Sequence, residues 1–310
     1  MTIPVLDWAR FADGTDDNGF VEDLGRACRG TGFFLLTRHT VDASLIAATF
    51  AQGDAFFALP DNRKSPLDIR KNGQNRGWAA FGSENLDDTV PGQIDRKEAF
   101  NVGLDLSPDD PRVVAGEPFR AVNIWPDLPG FRETLLIYFD AVSALATALH
   151  RAIARDLDLP AEYFDPMIDA PISTLRLLRY PPATGAEGEI GAGAHSDYGN
   201  ITLLVSDGEP GLQVRPRGGE WMDVPHVPGA FVVNIGDCLM RWTNDVYAST
   251  PHRVLPPARI RRSIAFFCDP NPDAVVAALP GTGTSKYPPV TGADYLRSRL
   301  DATYVPKEPA

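Results

Sequence analysis

The chain has 310 residues, 44% of them hydrophobic and 23% charged, with 29 Lys and Arg against 41 Asp and Glu for a formal net charge of −12. That length and composition support a large buried core without staples and exclude a disordered acidic chain. The acidic balance repels a phosphate backbone or an anionic lipid surface and no basic run offsets it, so neither nucleic acid nor membrane is an expected partner.

In chain order, Ile3-Pro4-Val5-Leu6-Asp7 predicts a short strand and Phe33-Phe34-Leu35-Leu36-Thr37 a second, each bounded by polar residues or glycine. Val21, Leu24 and Ala27 share one helical face, as do Leu45, Ala48, Ala55 and Phe56, and Pro60 ends that second helix. The clearest helix runs from about Pro129 to Leu157. Its apolar residues Leu135, Tyr138, Val142, Leu145, Leu149, Ile153 and Leu157 recur every three or four positions and read as core. Beyond Pro160 come short β-rich runs separated by turn residues: Leu175–Tyr180, Ile201–Val205, Leu212–Val214, Ala230–Ile235 and Ser263–Cys268. Many short strands with close turns predict a sandwich or barrel. Tyr295–Leu300 is again helical. Residues 1–120 therefore read as a mixed helix and strand region. Residues 121–310 read as a long helix, a β-core over about 171–270 and a C-terminal helix. With no repeat and no linker, the expectation is one compact unit.

Cys28, Cys238 and Cys268 show no C-x-x-C spacing and suit three buried thiols in a reducing compartment. No basic n-region precedes an apolar run at the start, and no apolar stretch approaches membrane-spanning length, so the expected location is the cytoplasm.

The chemistry lies with the histidines. His195 and Asp197 are two apart in a predicted strand, which would turn an imidazole and a carboxylate to one face. With five histidines and 41 acidic residues, chance alone supplies about 0.7 such His-x-acid matches. His252, in Thr250-Pro251-His252-Arg253-Val254, supplies a second imidazole. Arg261 and Ser263, again two apart, offer a guanidinium and a hydroxyl side by side, a clamp for a small carboxylate. Two His and one Asp on a β-scaffold match the facial triad that leaves neighbouring positions of an octahedral ion open, as in non-heme Fe(II) oxygenases. Arg262 should point away from Arg261. His39, His150 and His226 read as ordinary, and Asn234 and Asp237 as turn or strand-end residues.

The ordered set of motifs resembles the 2-oxoglutarate/Fe(II)-dependent dioxygenase superfamily, in its isopenicillin N synthase-like branch. It comprises the opening Ile3–Asp7 run, Gly32-Phe33-Phe34, Phe56–Pro60, Arg76-Gly77-Trp78, Asp95–Phe100 and Leu175–Pro182. His195-x-Asp197-x-Gly199, Asn234–Asp237, His252-Arg253-Val254 and Arg261-x-Ser263 complete it. The resemblance spans nearly the whole chain. It implies a mixed α/β (α+β) fold: a double-stranded β-helix, or jelly-roll, core with an N-terminal helical region packed around it. It implies that His195, Asp197 and His252 are the catalytic centre and the ligands of Fe(II). Arg261 and Ser263 would bind the distal carboxylate of 2-oxoglutarate, with Tyr180 reaching the same co-substrate. O2 would be the second co-substrate, and a small molecule would be oxidised, by default hydroxylated, with release of succinate and CO2. Asp197 stands where halogenating relatives carry a small residue, which favours oxygen insertion or desaturation. Leu178 stands where plant members often place Asn.

Arg76, Trp78, Glu84, Lys97 and Phe100 are the expected substrate-lining residues. Arg76 or Lys97 in the pocket implies a carboxylate-bearing substrate, Glu84 an amine or guanidinium, and both together a zwitterion. Two alternatives stay open. One is an oxidase of the isopenicillin N synthase kind that uses no 2-oxoglutarate; the other is a non-catalytic jelly-roll binding protein.

Overall fold

A computed structural model describes residues 2–72, 74–87 and 95–304. The strands of its two larger sheets, in chain order, are β1 (Val5–Asp7), β2 (Phe33–Thr37), β3 (Gly77–Ala79), β4 (Glu98–Gly103), β5 (Thr174–Tyr180), β6 (Ala192–His195), β7 (Ile201–Ser206), β8 (Leu212–Val214), β9 (Met222–Asp223), β10 (Phe231–Ile235), β11 (His252–Val254) and β12 (Arg261–Cys268). Eight form one sheet in the order β1-β2-β10-β7-β12-β5-β4-β3, and four form a second, β6-β11-β8-β9. The pairing is antiparallel except between β1 and β2. The two sheets face each other as a jelly roll, and β1–β4 from the N-terminal region extend the larger one.

Side chains alternate across a strand, so each strand of the large sheet has two faces. One face carries Phe34, Leu36, Phe231, Val233, Leu203, Val205, Ile264, Phe266, Leu175 and Leu177, all packed into the main apolar cluster. The helices Asp17–Gly30, Ala43–Phe57 and Phe131–Asp156 cover it. The helix Phe131–Asp156 has the length and composition of a membrane span, but its buried stripe, including Leu135, Tyr138, Val142, Leu145, Leu149 and Ile153, packs here as core. Asp16 and Asp42 cap the other two helices by accepting backbone N–H bonds from Gly19 and Ser44 at 3.2 and 2.6 Å, which satisfies donors that a first turn leaves unpaired.

The opposite face of the large sheet looks into the barrel. It presents Phe33 from β2, Val232 and Asn234 from β10, Thr202 and Leu204 from β7, Ala265 and Phe267 from β12, and Thr174, Arg176, Leu178 and Tyr180 from β5. Across the barrel, Ala192, His195, Leu212, His252 and Val254 come from the smaller sheet. Cys28, Cys238 and Cys268 are free and buried.

Candidate metal and co-substrate site

Within the smaller sheet, His252 on β11 pairs directly with His195 on β6, and the two rings lie 4.3 Å apart between centroids. Strand β6 ends at His195, so Asp197 is not in the strand as expected; it sits in the loop that follows. That loop is held from below by the helix Asp237–Trp242. Asp237 N–H donates to Asp197 O at 2.7 Å and Cys238 N–H to Tyr198 O at 3.1 Å, two first-turn donors with no partner inside their own helix. The approach is close enough to require glycine at Gly236, where a Cβ would stand 2.2 Å from Gly199 O.

The candidate ligand atoms of His195, Asp197 and His252 lie within 4.8 Å of one another. Asp197 Oδ1 is 3.8 Å from His195 Nε2 and 3.5 Å from His252 Nε2. Each Nδ1 faces a backbone carbonyl, Gly193 O at 2.7 Å and Thr250 O at 3.3 Å. A carbonyl only accepts, so Nδ1 carries the hydrogen and the Nε2 lone pair is free for a cation. The other carboxylate oxygen, Asp197 Oδ2, accepts from Thr202 Oγ1 at 2.5 Å and Asn234 Nδ2 at 2.8 Å. One oxygen is thereby anchored and the other left toward the histidines.

Electrostatics fit the same picture. Burial, assisted by His252, pushes His195 down to about 3. Burial also opposes charge on His252 and Asp197, but their mutual attraction wins, raising the imidazole and holding the carboxyl well below its usual range. Two His nitrogens and one carboxylate oxygen converging in this way suit a six-coordinate Fe(II) with open positions. These residues therefore fit the metal.

Arg261 and Ser263 point into the barrel from β12, with Arg261 Nη1 3.4 Å from Ser263 Oγ. Both are 1% exposed. Tyr180 lies opposite Arg261 in register, its ring 5.1 Å from the guanidinium carbon. No carboxylate among the described residues pairs with Arg261, and its buried Nε has no hydrogen-bond partner there. A buried, unneutralised guanidinium is costly to keep, so the arrangement suits an anionic co-substrate. Arg262 points the other way, to Asp207 and Asp54.

A cavity of about 180 Å³ lies beside the triad, and Tyr180 shares its wall. Arg261 lines an adjoining space of about 80 Å³ that meets the first at Leu212 and Val232. Of the five expected substrate-lining residues, Lys97 is on the wall and Glu84 sits against it, bonded to the lining residue Arg176. Phe100 and Trp78 are not on it. They are cross-strand partners on β4 and β3 whose side chains face the helices, where Phe100 packs on Phe56 and Phe131 and Trp78 Nε1 donates to Glu98. Arg76 is also off the wall. It is buried beside Gly103, where burial and Arg120 lower it to about 10. Asn234, expected at a turn or strand end, lies next to the end of β10 with its amide on Asp197, and Asp237 opens a helix and accepts from Ser196 and Ser249. Arg176, Asn101, Thr202, Phe267 and Asp269 also belong to the site without having been singled out. The alternation that pairs Arg261 with Ser263 extends to Phe267 and Asp269, and Tyr180 implies Leu178 and Arg176. His39 bonds Gly229 O and buried His150 bonds Ala146 O, both structural positions.

Residues 3–128 match the family model described as non-haem dioxygenase in morphine synthesis N-terminal, and residues 171–270 match that of the 2OG-Fe(II) oxygenase superfamily. A 2-oxoglutarate-Fe(II) type oxidoreductase of Emericella nidulans is 37% identical, over 97% of this chain and 90% of its own. A proline hydroxylase of Petromyces alliaceus is 34% identical over 98% of this chain and all of its own. Among solved structures, a full-length Neurospora crassa protein in complex with alpha-KG superposes with a TM-score of 0.87 at 34% identity, covering 97% of this chain and 96% of its own. The same protein with alpha-KG and thymine gives 0.86 at 33% identity, covering 97% of each. The chain thus belongs to the 2-oxoglutarate-Fe(II) oxygenase superfamily, and its activity is Fe(II)- and 2-oxoglutarate-dependent oxidation.

Proposed function

We propose that the chain hydroxylates a small organic molecule, releasing succinate and CO2, with His195, Asp197 and His252 holding Fe(II). Arg261 and Ser263 bind the distal carboxylate of 2-oxoglutarate, and Tyr180 backs the guanidinium. The observation that carries this reading is buried Arg261, with no carboxylate partner among the described residues, in the same barrel as three convergent ligand atoms. Bound iron supplies the redox chemistry with O2. The chain's own residues set the geometry. Thr202 and Asn234 orient the carboxylate, while Gly193 O and Thr250 O fix the imidazole tautomers. Leu178, Leu204 and Phe267 line the cavity with apolar surface that excludes water. The proline hydroxylase relative supports hydroxylation as the outcome. The thymine complex makes small rings reasonable first substrates to test. Buried free thiols support a cytoplasmic setting.

The decisive experiment is anaerobic. Fe(II) and then 2-oxoglutarate are added to the metal-free protein, and the visible charge-transfer band of a chelated 2-oxo acid is followed. The band is expected in the wild type and weakened in Arg261→Ala. Bound iron without a band would overturn the co-substrate assignment.

A further inference from the structure

Lys97, just before β4, and Arg176 on β5 both line the cavity. Taken alone, two cations would mark a pocket for a carboxylate. Glu84, from the loop after β3, changes that. Its Oε1 accepts from Arg176 Nη2 at 2.5 Å, and its Oε2 lies 3.3 Å from Lys97 Nζ. Lys97 also bonds Asp95, which accepts in addition from the backbone N–H groups of Gly193 and Leu86 at 2.9 and 3.2 Å. All four side chains are at most 15% exposed. Two cations and two carboxylates therefore close on one another at the cavity wall. Burial opposes the charge on Glu84, but Arg176 and Lys97 outweigh it and hold its carboxyl down to about 2.

Beside this cluster, Asn101 lines the cavity and donates from Nδ2 to Asn75 Oδ1 at 2.9 Å. That bond orients the amide and leaves Asn101 Oδ1 buried without a partner among the described residues. A buried acceptor left unsatisfied is unfavourable until a donor arrives.

We propose that Glu84 sets the charge selectivity of the substrate cavity: paired with Lys97 and Arg176, and with Asp95 as the second anion on Lys97, it leaves this part of the wall neutral, so the site takes an uncharged molecule bearing an N–H or O–H donor for Asn101. This rests on the cavity being the substrate site of the oxygenase. A carboxylate substrate would have to displace Glu84, losing its own hydration for an exchange of one anion for another. An amine would meet two cations. The opposing hints that Lys97 and Glu84 carry as separate residues cancel because the two residues hold each other.

The test uses protein loaded anaerobically with Fe(II) and saturating 2-oxoglutarate, so that Arg261 is already occupied. Benzoate, benzamide and benzylammonium, matched in size and differing in charge, are titrated by calorimetry. Wild type should bind benzamide most tightly. Glu84→Gln should shift the benzoate-to-benzamide affinity ratio at least tenfold toward benzoate, and Glu84→Asp should retain the wild-type order. Arg176→Gln should shift preference toward benzylammonium, and it carries the test alone if Glu84→Gln does not fold. An unchanged ratio in these variants, a wild type that ranks either ion first, or failure of all three probes to bind would overturn the proposal. Absence of the charge-transfer band in the wild type would instead count against the co-substrate reading, since the probe ranking reads the wall separately.

Discussion

Asn234 donates its side-chain N–H to Asp197 Oδ2 across 2.8 Å of buried space, from a strand in the opposite sheet. Together with Thr202 it decides which carboxylate oxygen meets the histidines. Asn234→Ala should keep the fold and weaken Fe(II) affinity by about 10–100-fold, the usual effect of losing a partner behind a ligand. Turnover should return at saturating iron. His195→Ala or Asp197→Ala removes a ligand atom and should abolish metal-dependent succinate formation at any iron concentration. Metal titration with parallel succinate assays separates these outcomes.

Arg261 and Arg262 are chain neighbours on opposite faces of β12. Arg261→Ala should raise the 2-oxoglutarate requirement steeply, since truncating one partner of a buried charge pair typically costs about 2–5 kcal/mol. Arg262→Ala removes an ion pair with Asp207 and Asp54 on the outer face. It should leave KM for 2-oxoglutarate unchanged. Equal effects on KM from the two variants would contradict the facing assigned to the strand.

Asp269 lines the cavity, and burial together with the negative charge of Asp197 pushes its carboxyl up to about 8. An acid whose pKa rises on folding holds its proton more tightly in the folded chain. Its stabilising contribution is therefore present below the unfolded value near 4 and is lost as pH climbs toward 8, by at most about 1.4 kcal/mol per pH unit. In metal-free protein, Asp269→Asn should flatten this loss. Urea unfolding at pH 5.5 and 8 would show the wild type losing ground to the variant at the higher pH; parallel behaviour would refute the prediction.

Phe100 is fully buried between Phe56 and Phe131 on the helix side of β4. Phe100→Ala should cost about 3–5 kcal/mol of stability through the lost burial and the cavity left behind. At a temperature where the variant is folded, KM for substrate should be unaffected. Denaturant unfolding and steady-state kinetics on the same preparation distinguish a core residue from a pocket residue.

How much of this was legible follows from the range over which each feature is encoded. The strand at 261–268 could be read locally, because two-residue alternation puts Arg261 with Ser263 and opposite to Arg262 whatever surrounds them. The stripe of the helix Phe131–Asp156 was legible for the same reason at a period of 3.6. Asp197 was selected correctly as a companion of His195 in space but for the wrong local reason, since the strand stops one residue after Ala194 and the loop brings the carboxylate back. Trp78 and Phe100 fall on the helix side because their strands show alternation without showing which side faces the barrel. That choice belongs to the helices covering the other side.

The sequence by itself determined the donor atoms and their periodicity: two imidazoles, a carboxylate, and a guanidinium beside a hydroxyl. These are properties of residue type and near-neighbour spacing. Tertiary structure decided what those groups face. Glu84, Asp95, Lys97 and Arg176 come from separate segments, and their two carboxylates meet the two cations only after β3, β4 and β5 are assembled. Asn234 reads as a strand-end residue until the pairing of β10 with β7 sets it beside Thr202, against Asp197. Such pairings form between residues far apart in the chain, where neither period nor composition carries a signal, and packing alone brings them within hydrogen-bond reach.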